Sequence, residues 1–162
     1  MRVNTMTKKS AGILMYRYVE NAFEVLLVHP GGPFWSKRDV GAWSIPKGEF
    51  GPNEDPETSA KREFAEELGI QPEGDLLPLG EIRQRGGKVV IAFALRGNFD
   101  VSVLRSNTFE IEWPPRSGKV ESFPEVDRAE WFDLTAARDK IIEGQRPFLD
   151  RIIRVCHAGP AD

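Results

Sequence analysis

The sequence predicts an α/β fold: a mixed sheet covered by helices on both faces, a sandwich built as one domain over residues 8–155. Two observations carry that expectation. Apolar, partly β-branched runs are interspersed with amphipathic helical stretches, without strict strand–helix alternation, which favours a mixed sheet over an all-parallel one. The chain has 162 residues, 40% hydrophobic and 29% charged, which is ordinary globular usage and enough to bury one core without covalent staples.

Each element follows from local chemistry. Residues 11–18 and 24–28 read as strands, with Glu20-Asn21 as the turn between them. His29-Pro30-Gly31-Gly32-Pro33 reads as irregular and opens a loop that carries Phe34 and Trp35 outward, followed by Lys37, Arg38 and Asp39. Residues 42–45 form a short strand ending at Pro46, and a glycine-rich loop follows through Gly48 and Gly51. Asp55-Pro56 is a helix start, an acid at the cap and proline at the first helical position, and Gly69 is the stop. Residues 76–84 and 88–95 read as a hairpin around Gly86-Gly87. Residues 107–113 are a strand, 114–118 a loop and 128–132 a short strand. Asp133 caps a helix over 136–142, and Pro147 opens a last helix reaching Val155. Residues 1–7 and 156–162 are expected to be flexible tails.

Charge and composition exclude several classes. The net charge of -3 argues against a general nucleic-acid binder. No apolar run approaches the ~18 residues of a membrane span. The start of the chain is polar and basic, and the apolar stretch at 11–16 is too short for a signal peptide. The single cysteine, Cys156, cannot form an internal disulfide and reads as a core thiol, so a reducing, cytoplasmic setting is expected. One segment departs from the average. Glu49, Glu54, Asp55, Glu57, Glu63, Glu66 and Glu67 stand against only Lys61 and Arg62. A solvated helix face is the usual meaning of such a run, so spacing has to decide.

At 3.6 residues per turn Glu63, Glu66 and Glu67 share a stripe roughly 100 degrees wide, directly beside the apolar stripe of Ala60, Phe64 and Leu68. Acids at that edge are partly desolvated and repel one another, and a divalent cation is the simplest relief. All-oxygen ligands suit magnesium or manganese rather than zinc. Upstream, glycine lets the backbone approach a ligand, the Lys47 carbonyl can add a metal ligand, and Arg62 can clamp Glu54 or a neighbouring glutamate.

Gly48, then five residues, Glu54, then seven residues, and the run Arg62-Glu63-Phe64-Ala65-Glu66-Glu67-Leu68-Gly69-Ile70 match the Nudix box at every fixed position. The chain therefore resembles the Nudix, or MutT-like, hydrolases, and its order of strands and helices resembles a whole Nudix domain. The resemblance implies an α/β/α sandwich and hydrolysis of a diphosphate bridge in a nucleoside polyphosphate, with water attacking one phosphorus. It implies that Glu63, Glu66 and Glu67 bind Mg2+ or Mn2+, that Lys47 contributes its carbonyl, and that Gly48, Glu54, Arg62 and Gly69 are structural members of the box. Metals would clamp the bridge and lower the pKa of the attacking water. Some family members use a box glutamate as the general base and others an acid from a later loop; the loop candidate here is Glu125, ahead of Glu112 and Glu121, against the reading of Glu125 as a plain exposed loop acid. The run Trp43-Ser44-Ile45-Pro46-Lys47-Gly48 and the stretch from Arg128 to Leu134 resemble asymmetric diadenosine tetraphosphate hydrolases. The inserts at 29–40 and 107–123 resemble bacterial predicted NTP pyrophosphohydrolases.

Outside the box, Trp35, Phe34 and Trp113 can stack a nucleobase or pack a long loop. Lys47, Lys88, Arg83 and Arg116 can contact outer phosphates or stand as surface cations. His29 reads as structural. The expected partner is a small nucleotide substrate, with no nucleic-acid polymer and no membrane, acted on by a monomer or homodimer. The alternative reading is a Nudix domain that binds nucleotides as a sensor without turning them over.

Overall fold

Period-two alternation lets the central strands serve two cores at once. In β1 (Lys9–Val19), Ala11, Ile13 and Met15 face one side, and Leu14 and Tyr16 the other. In β2 (Ala22–Pro30) Leu26 and Val28 join the first set, and Val25 and Leu27 the second. The hairpin between these strands turns on Glu20 and Asn21, both at positive φ (50° and 71°), as a two-residue loop requires. This computed structural model describes residues 8–157. The tail positions 1–7 and 158–162 lie outside the described residues, whereas Cys156 and His157, expected in the tail, close the last helix.

The remaining elements are β3 (Lys47–Phe50), α1 (Pro56–Leu68), β4 (Leu77–Arg83), β5 (Val89–Arg96), β6 (Thr108–Glu112), β7 (Val120–Pro124), β8 (Val126–Asp133), α2 (Leu134–Lys140) and α3 (Arg146–His157). The main sheet runs β4-β5-β1-β2-β8, with β3 also beside β1. Only β1 and β5 are parallel, so the sheet is mixed. The second edge of β1 is shared: residues 9–12 pair with β3 and residues 16–19 with β2. Between them the sheet forks, and Ser44 bridges to Val28 by hydrogen bonds of 2.9 and 3.0 Å. Helix α1 covers one face with Ala60, Phe64 and Leu68, all fully buried. Helices α2 and α3 cover the other with Ala137, Phe148, Leu149 and Ile152. The α/β sandwich with helices on both faces is thus the observed fold. No described helix is long and apolar enough to cross a membrane.

Phe64 is the keystone of the α1 face. Phe64→Ala is expected to cost about 3–5 kcal/mol, read from the midpoint of urea unfolding, because a fully buried ring leaves a cavity that the sheet below cannot fill.

Four local expectations need correction. β2 continues through His29 and Pro30, which pair with Arg128 and Val126 of β8; a register shift at that point accommodates the missing proline N–H. The box loop begins as strand β3, since Gly48 and Glu49 pair with Ala11 and Ser10 by backbone alone. Residues 42–45 form only isolated bridges, Val28 with Ser44 and Trp43 with Ile141. Finally, residues 120–124 form β7, which pairs with β6 in a separate two-stranded ribbon.

Candidate active site

The acids of α1 are delivered by a well-fixed helix. Asp55 caps it, its carboxylate accepting from the Thr58 N–H at 3.0 Å, and Gly69 ends it in the left-handed region at φ 92°. The loop before it is tied down by Glu54, which accepts from the Gly51 N–H at 2.8 Å and pairs with Arg62. Those two contacts hold the Glu54 carboxyl below the usual range. Arg62 also reaches Glu63 at 3.2 Å and Glu66 at 3.9 Å, so one guanidinium binds the loop to the helix and offsets the repulsion between the acids.

The glutamates differ in environment. Glu63 is largely covered, with its side chain 12% exposed, and burial plus the neighbouring Glu66 push its carboxyl up. Glu67 is pushed up to about 8, mainly by desolvation and then by Glu63 and Glu125; the Lys47 ammonium and a hydrogen bond from the Lys47 backbone act against that rise. Burial lowers the Lys47 ammonium in turn, with Lys88 adding to the effect. Gly48 lies directly against Glu63: a Cβ there would sit 1.8 Å from Glu63 Oε1. Absence of a side chain at Gly48 is what lets that carboxylate lie along the strand.

Glu125 is carried to the box by a relay of backbone bonds. The Glu66 carbonyl accepts from the Asn107 N–H at 2.9 Å, the Asn107 carbonyl from the Glu125 N–H at 2.8 Å, and the Glu125 carbonyl from the Gly31 N–H at 2.9 Å. Glu125 is the single residue between β7 and β8, and burial followed by the charge of Glu66 pushes its carboxyl up. It joins Glu67, Lys47 and Trp35 around a cleft of about 230 Å³, which Val28, Pro30, Ser44, Ile45 and Ile142 also line.

The donor set fits a hard divalent ion. Glu63, Glu66 and Glu67 are all-oxygen ligands, the Lys47 backbone lies beside the Glu67 carboxylate, and two of the three acids are held above their ordinary range by burial and mutual repulsion. Among the described residues no group of three or more His, Cys, Asp or Glu side chains is already gathered tightly enough to hold an ion. Proton linkage gives the first test. A carboxyl raised to about 8 when folded and near 4.5 when unfolded makes the folded state bind more protons between those values. Stability of the metal-free protein therefore falls as pH rises from about 5 to 8. Thermal melts in chelator should show that fall, with Glu67→Gln flatter over the same window. Adding Mg2+ should raise the midpoint more at pH 8 than at pH 5.5.

The other expected residues divide. Trp35 lies on the cleft, with the Arg38 guanidinium 5.5 Å from its ring centre. Phe34 and Trp113 pack edge to face at 5.4 Å, so they hold the loop against the β6–β7 ribbon instead of lining the cleft. Lys88 comes within electrostatic reach of Lys47. Arg83 turns back to the Gly87 carbonyl of its own hairpin at 3.4 Å. Arg116 sits in the ribbon turn, its N–H donating to Glu112, which also accepts from Gly118; neither lines the cleft. Glu121 is exposed on β7 opposite Ile111. Cys156 is a half-buried free thiol, pushed up by burial and hydrogen-bonded with the Tyr16 side chain, which suits a core role. His29 is fully buried, with both ring nitrogens hydrogen-bonded.

Sequence reading missed Gln145. It is fully buried, its Oε1 accepts from the Ile45 N–H at 3.0 Å and its amide donates to Ser44 Oγ at 3.2 Å, which fixes the strand leading to Lys47. It also missed Asn107 and Ile142. No local signal marks them, because each acts on residues far away in the chain.

Comparison with known proteins agrees with the fold. The family model described as the NUDIX domain matches residues 6–152. The NUDIX domain of Shewanella oneidensis NrtR complexed with ADP ribose is similar at TM-score 0.65 and 15% identity, covering 94% of this chain and 90% of that one. A Caenorhabditis elegans Ap4A hydrolase binary complex is similar at TM-score 0.63 and 22% identity, with 94% and 100% covered. A mutT/nudix family protein from Listeria innocua gives TM-score 0.64 and 16% identity over 96% and 97%. No curated protein matches the sequence.

Proposed function

The chain belongs to the Nudix hydrolase family, and we propose that it is a magnesium-dependent pyrophosphohydrolase cleaving a diphosphate bridge in a nucleoside polyphosphate, either an NTP or a dinucleoside polyphosphate. The observation that carries the reading is the meeting of Glu67, Glu125, Lys47 and Trp35 around one cleft, with the Glu63 and Glu66 carboxylates on the adjoining helix. Glu63, Glu66, Glu67 and the Lys47 carbonyl would hold the ion. When bound, a divalent ion would offset the negative charge of the diphosphate oxygens and acidify the attacking water. The chain's own groups do the rest. Glu125 takes the proton from water, and its raised pKa brings it nearer to neutral operating pH. The Lys47 ammonium, between the acids and Lys88, balances phosphate charge. Trp35 offers a flat face to the base at the cleft mouth. Arg62 keeps the glutamates in register without touching substrate.

The intended location is the cytoplasm, with a small nucleotide as the partner. A second reading, nucleotide binding without turnover, draws on the likeness to the NrtR domain complexed with ADP ribose. One experiment separates the two. The purified protein is incubated with Mg2+ and a panel of NTPs, dinucleoside polyphosphates and nucleotide sugars, and the products are resolved by chromatography. Cleavage at a phosphoric anhydride bond of one member supports the enzyme; tight binding with every substrate intact overturns it.

A further inference from the structure

His29 sits at the end of β2 with its side chain wholly buried, and it makes two links that run in different directions. Its Nδ1 lies 2.7 Å from Asp127 Oδ1, two residues past Glu125. Its Nε2 lies 2.6 Å from the Arg38 carbonyl oxygen, which can only accept, so Nε2 carries a hydrogen and donates it. Each link leads to the cleft. On one side, Asp127 and Glu125 belong to one short stretch of chain, and the Glu125 carbonyl is held by the N–H of Gly31, two residues after His29. On the other, the Arg38 N–H donates to the Trp35 carbonyl at 2.9 Å, and the Arg38 guanidinium lies over the Trp35 ring. The imidazole itself packs edge to face on buried Trp43 at 5.1 Å.

We propose that His29 is a positioning residue that sets Glu125 through Asp127 and Trp35 through Arg38, coupling proton transfer and base binding through one buried ring. This rests on the roles assigned above to Glu125 and Trp35. The Arg38 carbonyl and the Asp127 carboxylate both accept, so both ring nitrogens are satisfied when each carries a hydrogen and donates it, and both partners belong to the two segments that line the cleft.

The two links can be cut separately. An asparagine amide falls near the position of Nδ1, so His29→Asn keeps a donor for Asp127 and loses Arg38. A glutamine amide falls near Nε2, so His29→Gln keeps Arg38 and loses Asp127. Steady-state kinetics on the substrate found in the panel, with thermal midpoints alongside, should then split. His29→Gln is expected to lower kcat about 10–100-fold with little change in KM, as slight misplacement of a reacting group does. His29→Asn is expected to raise KM about tenfold with kcat nearly kept, the loss of one stacked base. Asp127→Ala, at a partly exposed side chain that does not threaten the fold, should reproduce His29→Gln. In a Glu125→Gln background, His29→Gln should lower kcat no further. Equal losses of kcat and KM that simply follow the thermal midpoints, or an undiminished effect of His29→Gln in the Glu125→Gln background, overturn the proposal while leaving the assigned function intact. Unchanged kcat in Glu125→Gln alone overturns the role of Glu125 and, with it, the proposed link through Asp127.

Discussion

Glu67→Gln is expected to lower turnover at saturating Mg2+ by at least about a hundredfold while making the metal-free protein more heat-stable. The two effects share one cause. Glu67 is dehydrated by burial and crowded by Glu63 and Glu125, so ionising it in the metal-free protein costs free energy that a bound cation would offset. A neutral amide of the same shape relieves that cost and discards the proposed metal ligand. Glu66→Gln should lower turnover similarly but leave the midpoint nearly unmoved, because its side chain is 39% exposed and already lies near Arg62. Kinetics and melts on the two variants decide the matter. Turnover unchanged in both sinks the metal assignment, and a lower metal-free midpoint for Glu67→Gln sinks the account of its crowding.

Gly48→Ala is expected to reduce metal affinity about 10–100-fold with the fold preserved. Position 48 lies in a strand, where alanine is at ease, and the atoms a new methyl group meets are the far end of Glu63: Oε1 at 1.8 Å and Cδ at 2.1 Å. That side chain can swing away, so the change moves a proposed metal ligand and spares the backbone. Gly12→Ala and Gly31→Ala make the contrast. Their methyl groups would meet main-chain oxygens, Pro46 O at 2.6 Å and Pro124 O at 2.0 Å, which cannot retreat alone. Those two should melt earlier, whereas Gly48→Ala should melt with wild type and bind Mn2+ weakly in a calorimetric titration. Wild-type Mn2+ affinity in Gly48→Ala would show that Glu63 does not need its place along the strand.

The helix of the acids was legible because its signals are local: an aspartate and proline at the start, a glycine at the stop, and apolar residues one turn apart. The neighbourhood of Arg62 and Glu54 was legible for the same reason, eight positions apart across one turn of chain. β7 was not, since Val120, Glu121 and Ser122 are exposed and only Phe123 is half-buried; a ribbon without a core leaves no alternating pattern to read. The strand character of Pro30 and Gly48 was hidden by residue types that favour turns, and tertiary pairing overrode them. Gln145 against Ile45, and His29 against Asp127, lie about a hundred positions apart, where spacing carries no information. The loop acid Glu125 could be nominated from sequence, but the relay through Asn107 that brings it to Glu66 could not.

The sharing of β1 between three partners fixes an order of events during synthesis. Ala11 faces Ile91 in a parallel pair, so the first strand leaves the ribosome long before its neighbour exists. Until residue 96 has emerged, an oily ribbon keeps one flank open, a period in which a chaperone has something to hold and sticking to other chains is the hazard. Parallel pairing across so long an interval also slows refolding from denaturant. The stretch at 125–127 is made later still, so the cleft that Glu125 lines with Glu67 and Lys47 is completed long after the helix of the acids has been synthesised.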